Sequence, residues 1–578
     1  MPENVSESEP LISARTSTPD YPIALTVGAL YERMAADYGD GDLVFPHERC
    51  QYRELSARAQ RMARSLRALG VGRGDAVGIL MVPCIDTLAA LGAIAHLAAV
   101  AVPINIRFKA RELSHVIADA DLKVMLVSGA LPPHADYPRM LAQALPSFAA
   151  APAWPLIIPE APELRTLVLM SSGHEPGFMP RSEFDSLAEG VTAEEIDRTS
   201  QTALVRATAI IMYTSGTEAK PKGCLLTHEA LTRTASNCAS NRFELTPEDR
   251  MWNPLPLFHC GGIVLALTCF STGTSFIHSG FFEAGVALDQ MVNERCTVAH
   301  PAFETIWLAV LNHPDFDAAS LSRIRATLLV GVPERIRAMH RRLPDAKVMT
   351  SFGATEASAH LALTDPDDDL EHRLAGSARP MPGMEVRIVD PDSGDDQPTD
   401  VEGEVLYRGP GLFSGYHKLP DLNAQSFDAG GWFHSQDVGV LDRRGNLCFR
   451  SRLKDMLKVG GENVGSAEIE GAIAEHADVL IVQVVGAPDR RYNEVPCAFV
   501  QLRAGATTTA AEIIDICVGQ IASYKVPRYV RFVDAWPMSG TKIRKVDLRR
   551  QITEELAGAG VTEAPSLSDI LRDSRTPT

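Results

Sequence analysis

With 578 residues, 45% of them hydrophobic and 22% charged, and a mean hydropathy of −0.02, the chain has the composition of a globular protein and room for about four domains at roughly 150 residues each. A formal net charge of −18 argues against nucleic acid as a partner, because phosphate binding needs a basic face. Ten scattered cysteines with no C-x-x-C pair and no His/Cys cluster at zinc spacing exclude a zinc module, and read as reduced thiols of a cytoplasmic protein.

Residues 1–20 are acidic and rich in Ser and Pro, without an apolar segment, so they read as a disordered leader and not a signal peptide. From Thr26 to about Arg111, helical spacing over Leu30 to Tyr38, Tyr52 to Leu69 and Asp86 to Ala98 alternates with β-rich runs at 70–81 and 100–105. That alternation implies a parallel sheet covered on both faces, hence an α/β domain. The most apolar stretch, Thr87 to Val102, contains His96 and is too short to be a transmembrane segment, so it reads as a buried helix. A helix from Glu112 and a strand from Lys123 to Val127 follow, then a Pro/Ala-rich excursion over 128–165 that reads as variable surface.

The run IIMYTSGTEAKPKGCLLT, Ile210 to Thr227, joins two apolar strands by a loop holding Thr214, Ser215, Gly216, Thr217, Lys220 and Lys222. Hydroxyls and glycine N–H groups donate while lysines offset charge, a mixture suited to polyphosphate. It is not the ordinary P-loop, because Cys224 follows Gly223 where that motif needs Lys-Ser or Lys-Thr. An amphipathic helix, Glu229 to Asn241, leads to Pro256-Leu257-Phe258-His259, a Gly261-Gly262 pair and an apolar helix. Leu328 to Pro333 reads as a strand ending in a tight turn. Val348 to Glu356 places Gly353, Thr355 and Glu356 after a strand; a hydroxyl beside a carboxylate suits a phosphate oxygen with a hard cation, and equally a helix cap.

Beyond Gly376 the alternation turns to antiparallel hairpins or a small barrel, carrying Trp432-Phe433-His434-Ser435-Gln436-Asp437. Then comes Arg450 to Val464, RSRLKDMLKVGGENV, with Arg452, Lys454, Lys458, Gly460 and Gly461. About 120 residues of α+β follow it and end in Pro537-Met538-Ser539-Gly540-Thr541-Lys542-Ile543-Arg544-Lys545.

In this order these segments resemble the adenylate-forming superfamily of acyl-CoA synthetases, luciferases and peptide-synthetase adenylation domains, over roughly Thr26 to Gln551, with the acyl-CoA ligases the nearest branch. The chain departs from the usual motifs at Glu218, Ala219, Phe352 and Gln436, and has one residue fewer before Lys542. The resemblance implies a large N-terminal α/β domain of layered parallel sheets with a small β-barrel-like subdomain, over 21–453. A small α+β lid over 454–555 and a weakly structured tail over 556–578 complete it.

It also implies ATP, Mg²⁺ and coenzyme A, with Thr214, Ser215, Gly216, Thr217 and Lys222 on the phosphates and Thr355 and Glu356 at phosphate and metal. Gly331, Val332, Pro333, Phe352 and Gly353 face adenine, and Asp437 takes the ribose diol. Arg452 and Lys458 flank the nucleotide, Lys454 is the hinge, Gly460 and Gly461 line the pantetheine path, and His259 sits beside the acid. Lys542 is the lid's catalytic lysine. The reaction expected is acyl-AMP formation and then thioester formation with CoA. An acyl-AMP ligase serving a separate carrier protein is the alternative; luciferase-type oxygenase chemistry and a nucleotide-binding regulator also stay open. No Lys or Arg occurs in His259 to Leu267 or Leu328 to Gly331, so a neutral apolar acid is expected. A homodimer is allowed.

Overall fold

The structure, a computed structural model, describes residues 24–131, 135–150, 155–214, 220–331, 333–453, 456–459, 462–518, 520–539, 542–567 and 570. Two seven-stranded sheets form the body. The first orders Lys347–Met349, Ala326–Val330, Val298–Phe303, Arg250–Trp252, Ser275–Ile277, Asp42–Phe45 and Glu48–Gln51, parallel except for its last pair. The second orders Lys222–Thr227, Thr208–Thr214, Val100–Pro103, Ala76–Leu80, Leu122–Val127, Thr166–Leu169 and Met179–Pro180, parallel except for its first pair.

Strands of the second sheet are apolar on both faces, and alternation sends their side chains into two cores. Val77, Ile79, Val124 and Leu126 enter the large core shared with the first sheet, while Leu80, Leu122, Met125 and Val127 enter the outer one. The helix Ile85–His96 is buried nearly all round, as its unbroken apolar sequence requires. The excursion after residue 128 is not merely surface. Its helix Tyr137–Ala144 and the following segment bury Tyr137, Leu141, Leu145, Leu156 and Leu164 in the outer core, because that face of the sheet would otherwise be bare.

The β-rich run forms a third sheet of antiparallel hairpins, in the order Ser351–Phe352, Ala362–Leu363, Ser377–Pro380, Leu447–Arg452, Phe433–Leu441, Gly403–Arg408 and Glu385–Val389. The C-terminal unit has its own sheet, built on the long hairpin Val479–Asp489 with Asn493–Leu502, and its own apolar clusters. Two features depart from expectation. Lys545–Gly558 is a helix whose Leu548, Ile552 and Leu556, spaced by four, bury against that sheet. In the segment expected to be a weakly structured tail, Thr562 and Ala564 are tied to the long hairpin: Arg490 N–H donates to Thr562 O at 2.8 Å and Ala564 N–H to Asp489 Oδ2 at 2.6 Å.

The turn from His259 into the helix Cys260–Thr272 depends on glycine. A Cβ on Gly262 would fall on the Pro256 carbonyl oxygen, well inside van der Waals contact. Gly262→Ala is therefore expected to destabilise the body by on the order of 2 kcal/mol, read as a lower apparent melting temperature at fixed scan rate. An unchanged melting temperature would show that this turn relaxes freely.

Candidate active site

The second and third sheets join at one point. The hairpin Thr208–Thr214 with Lys222–Thr227 ends in register Thr214 to Lys222, and the Thr214 hydroxyl faces the Lys222 carbonyl at 3.4 Å. Ser215, Gly216 and Thr217, at its tip, lie outside the described residues. Residues 414–417 lie along the free edge of Lys222–Thr227, with Ser414 N–H on Leu225 O at 2.8 Å, Leu225 N–H on Gly415 O at 3.0 Å and His417 N–H on Gly223 O at 2.7 Å. This pairing brings Tyr416 over the site, where its hydroxyl donates to Glu356 Oε1 at 2.9 Å and its ring lies 5.2 Å from Lys222 Nζ.

Glu356 follows Thr355 in a short 3-10 turn capped by Ala354, so Thr355 is not spent as an N-cap. The thiols of Cys224 and Cys260 face the same carboxylate. Burial first, and then the Glu356 charge, raise both, Cys260 to about 12. Burial and the same charge also hold the Tyr416 phenol far above its ordinary value. These groups are neutral, and the donors that face a cation here are oxygens. A single carboxylate with hydroxyl neighbours fits Mg²⁺, which takes one or two carboxylates together with substrate phosphates; among the described residues no cluster of three or more His, Cys, Asp or Glu side chains could hold a metal without substrate.

Around this centre the other motif residues take their places. Gly353 is needed for packing, since a Cβ there would collide with the Ala359 carbonyl oxygen. Over Gly331, by contrast, the space is open: a Cβ there would meet nothing nearer than 3.9 Å, so no packing demand explains that glycine. Val332 lies outside the described residues, and Pro333 opens the helix Pro333–His340. Phe352 stacks on Phe449, rings 5.6 Å apart. His259 is half-buried and caps the helix Cys260–Thr272. Asp437 is 3% exposed and paired to Arg452 across the adjacent strand, Oδ1 to Nε 2.9 Å. Lys454, Gly460 and Gly461 lie outside the described residues. Lys458 sits in the strand Leu457–Val459 and Lys542 in a two-residue strand paired with Met538–Ser539. Nearby, Lys545 Nζ is committed elsewhere, to Glu470 Oε1 at 2.5 Å and Ser466 Oγ at 2.8 Å.

Tyr416, Phe449 and Tyr407 join the site without a motif to announce them. Tyr407 is fully buried, its hydroxyl without a hydrogen-bond partner among the described residues, and burial, Glu356 and Asp437 all raise its pKa. A tyrosine in an alternating strand carries no sign of this; for Tyr416 the only signal is the Gly415-Tyr416 step closing a β-rich run.

Hydroxyls, a lysine, carboxylates and an aromatic ring gathered where the second and third sheets join, followed in sequence by a small α+β unit with its own core, are the arrangement of an adenylate-forming enzyme. The comparisons with known proteins agree: the AMP-binding enzyme family matches residues 31–417 and its C-terminal domain residues 468–542, so the chain belongs to the AMP-binding enzymes. It is 33% identical over 521 residues to the indoleacetate–CoA ligase of Aromatoleum aromaticum, covering 88% of this chain and 95% of that one. It is 30% identical over 549 residues to the mitochondrial medium-chain acyl-CoA ligase of Bos taurus, covering 92% and 88%. ATP-bound MatB from Rhodopseudomonas palustris superposes with a TM-score of 0.76 at 25% identity, over 92% and 99% of the two chains.

Gln436, where related motifs carry glycine, adopts φ +58°, the left-handed region, while its N–H donates to Glu404 Oε1 at 3.0 Å. Relief of left-handed strain, about 1 kcal/mol, should offset the extra chain entropy of glycine. Gln436→Gly is thus expected to melt like the parent, and Gln436→Val to lose at least about 1 kcal/mol. Equal melting of the two variants would contradict this account of the position.

Proposed function

We propose that this chain is an ATP-dependent carboxylic acid–CoA ligase working through acyl-AMP. The observation that carries the reading is that Tyr416 brings Lys222 and Glu356 together, with Thr214 bonded to the Lys222 backbone and Thr355 next to Glu356, while Glu356 and Asp437 both act on buried Tyr407, in a chain of the AMP-binding family. A carboxylate cannot be attacked by a thiol at useful rate, since its leaving group would be an oxide. Attack of the acid's oxygen on the α-phosphorus of ATP forms the mixed anhydride and expels pyrophosphate. The CoA thiolate then attacks the acyl carbon and AMP leaves. Both steps need positioning and charge stabilisation more than a protein nucleophile.

In this reading Thr214, Ser215, Gly216, Thr217 and Lys222 hold the phosphates, and Thr355 hydrogen-bonds a phosphate oxygen. Glu356 holds Mg²⁺, which offsets phosphate charge when bound. Gly331, Val332, Pro333, Phe352 and Gly353 flank adenine; the open space over Gly331 supports this. Asp437 has two acceptor oxygens, which suits the ribose diol, and Arg452 fixes its orientation. His259 borders the acid, whose surroundings on the helix Cys260–Thr272 are apolar and uncharged, so the acid is neutral over its body. The lid, taken as 454–555, turns about Lys454; Lys458, Gly460 and Gly461 line the CoA path. No helix among the described residues is long and apolar enough to cross a membrane. A cytoplasmic location and a homodimer complete the proposal.

Pyrophosphate release and thioester formation, measured over short, medium, long, aromatic and sterol-derived acids with and without CoA, test the reading. We expect a subset of neutral acids to release pyrophosphate and to yield acyl-CoA only when CoA is present. Pyrophosphate released without thioester under any condition would contradict the CoA step.

The two lid lysines separate by experiment. Lys542→Ala is expected to abolish acyl-AMP formation but to leave conversion of supplied acyl-AMP to acyl-CoA largely intact. Lys545→Ala strands Glu470, whose carboxylate is nine-tenths buried, so it should cost about 3 kcal/mol of lid stability and lower both half-reactions together. If Lys545→Ala alone shows the split behaviour, the shorter loop before Lys542 has shifted the register.

A further inference from the structure

The residues expected at the phosphates are held from behind. Along the hairpin Thr208–Thr214 with Lys222–Thr227 successive side chains point to opposite faces, so the pair Tyr213 and Gly223 faces away from the site that Thr214 and Lys222 border. Tyr213 enters the outer core with Leu113, Val116 and Ile117 of the helix Ala110–Asp119. Gly223 leaves room there: a Cβ on it would stand 2.7 Å from Ile211, 3.2 Å from the Tyr213 ring and 3.3 Å from His417.

That helix grips three separate stretches of chain by its C-terminal half. Its apolar face is buried on the sheet, while His115 and Asp119, four residues apart, share another face. The Tyr213 hydroxyl donates to Asp119 Oδ2 at 2.5 Å. His115 Nε2 lies 3.0 Å from the Pro221 carbonyl oxygen, and His417 Nε2 lies 3.0 Å from that of Asp119. A carbonyl oxygen only accepts, so both imidazoles donate through Nε2–H. The Asp119 carbonyl is among the last of its helix, which have no intrahelical partner, and His417 supplies one. Burial first, then the bond to Asp119 and its charge, hold the Tyr213 phenol far above its ordinary value, so it stays a neutral donor.

Each residue gripped in this way is next in the chain to a residue of the candidate site: Tyr213 to Thr214, Pro221 to Lys222 and His417 to Tyr416. The first two stand on the two sides of the phosphate loop. His417 lies in the segment that covers the edge strand, its backbone N–H on Gly223 O at 2.7 Å. Apolar burial keeps a helix on a sheet without fixing direction, whereas hydrogen bonds to specified atoms lock the groups that a binding constellation needs.

We infer that His115 and Asp119 are positioning residues of the adenylation step: through Tyr213, Pro221 and His417 they set where Thr214, Lys222 and Tyr416 stand for the triphosphate, without touching it. The inference rests on the ligase reading above and deepens its first half-reaction. The β- and γ-phosphates are present only in that half, so loss of a tie weakens the use of ATP and spares thioester formation from acyl-AMP.

The test uses the full-length enzyme and an acid from which it releases pyrophosphate. His115→Leu removes the donor to Pro221 and should lower kcat/KM for ATP at least about tenfold, while KM for the acid and conversion of supplied acyl-AMP to acyl-CoA stay close to the parent's. His115→Gln keeps an N–H donor and should recover most of that loss. Tyr213→Phe deletes one hydroxyl from the other tie, keeps the core filled, and should show the same split to a smaller degree. Unchanged kcat/KM for ATP in His115→Leu and Tyr213→Phe, equal loss in the two half-reactions, or no recovery in His115→Gln would overturn the inference and leave the ligase reading intact. If His115→Leu does not fold, the split in Tyr213→Phe decides alone. Pyrophosphate release by the parent enzyme from no acid of the panel would overturn the ligase reading and this inference with it.

Discussion

Three backbone hydrogen bonds, between residues 414–417 and the edge strand Lys222–Thr227, hold the candidate site together. The strand lies at the end of the second sheet, where its outer N–H and C=O groups would face solvent or a foreign strand. Residues 414–417 cover that edge in antiparallel pairing, Cys224 opposite Tyr416. Because they belong to the third sheet's connection, the seam fixes two sheets to one another, and the Tyr416–Glu356 hydrogen bond ties in the turn Thr355–Ala357 between two neighbouring strands of that same third sheet. Lys222 from the second sheet and Glu356 and Tyr416 from connections of the third are thereby delivered to one point and held there by hydrogen bonds.

Polar burial around that point is expensive and is only partly offset within the protein. Tyr407 has no partner for its hydroxyl among the described residues, and Cys224, Cys260 and Tyr416 are pressed against a carboxylate that raises them further. A core selected for stability alone would replace these groups with apolar ones. Their retention beside Glu356 is intelligible if phosphates, ribose and metal supply the missing partners during turnover, which is how strain and unpaired groups come to collect at functional sites.

Much of this is legible in the sequence, and the unevenness has physical causes. Strands and helices of the body announce themselves by period, as with Ile210 to Tyr213 or Tyr52 to Ala68, and the chemistry-bearing motifs sit at their ends. What the sequence hides is long-range pairing: nothing local marks Tyr416 as the partner of a glutamate 60 residues earlier. The departure at Gln436 acquires meaning only with its φ, and the Pro/Ala-rich excursion shows its buried face only against the outer side of the second sheet. The helix Lys545–Gly558 is readable in principle. Its apolar stripe at Leu548, Ile552 and Leu556 is overshadowed by the charged residues between them, Arg549, Arg550, Glu554 and Glu555.

The central claim is that nucleotide binds around Tyr416, where the second and third sheets join, and a crystal structure of the enzyme with ATP and Mn²⁺ in place of Mg²⁺ tests it most directly. The account predicts an anomalous manganese peak at Glu356, the ribose hydroxyls on the Asp437 carboxylate and the base against Gly331 and Phe352. Nucleotide bound away from Tyr416, or a metal peak that does not involve Glu356, would contradict it.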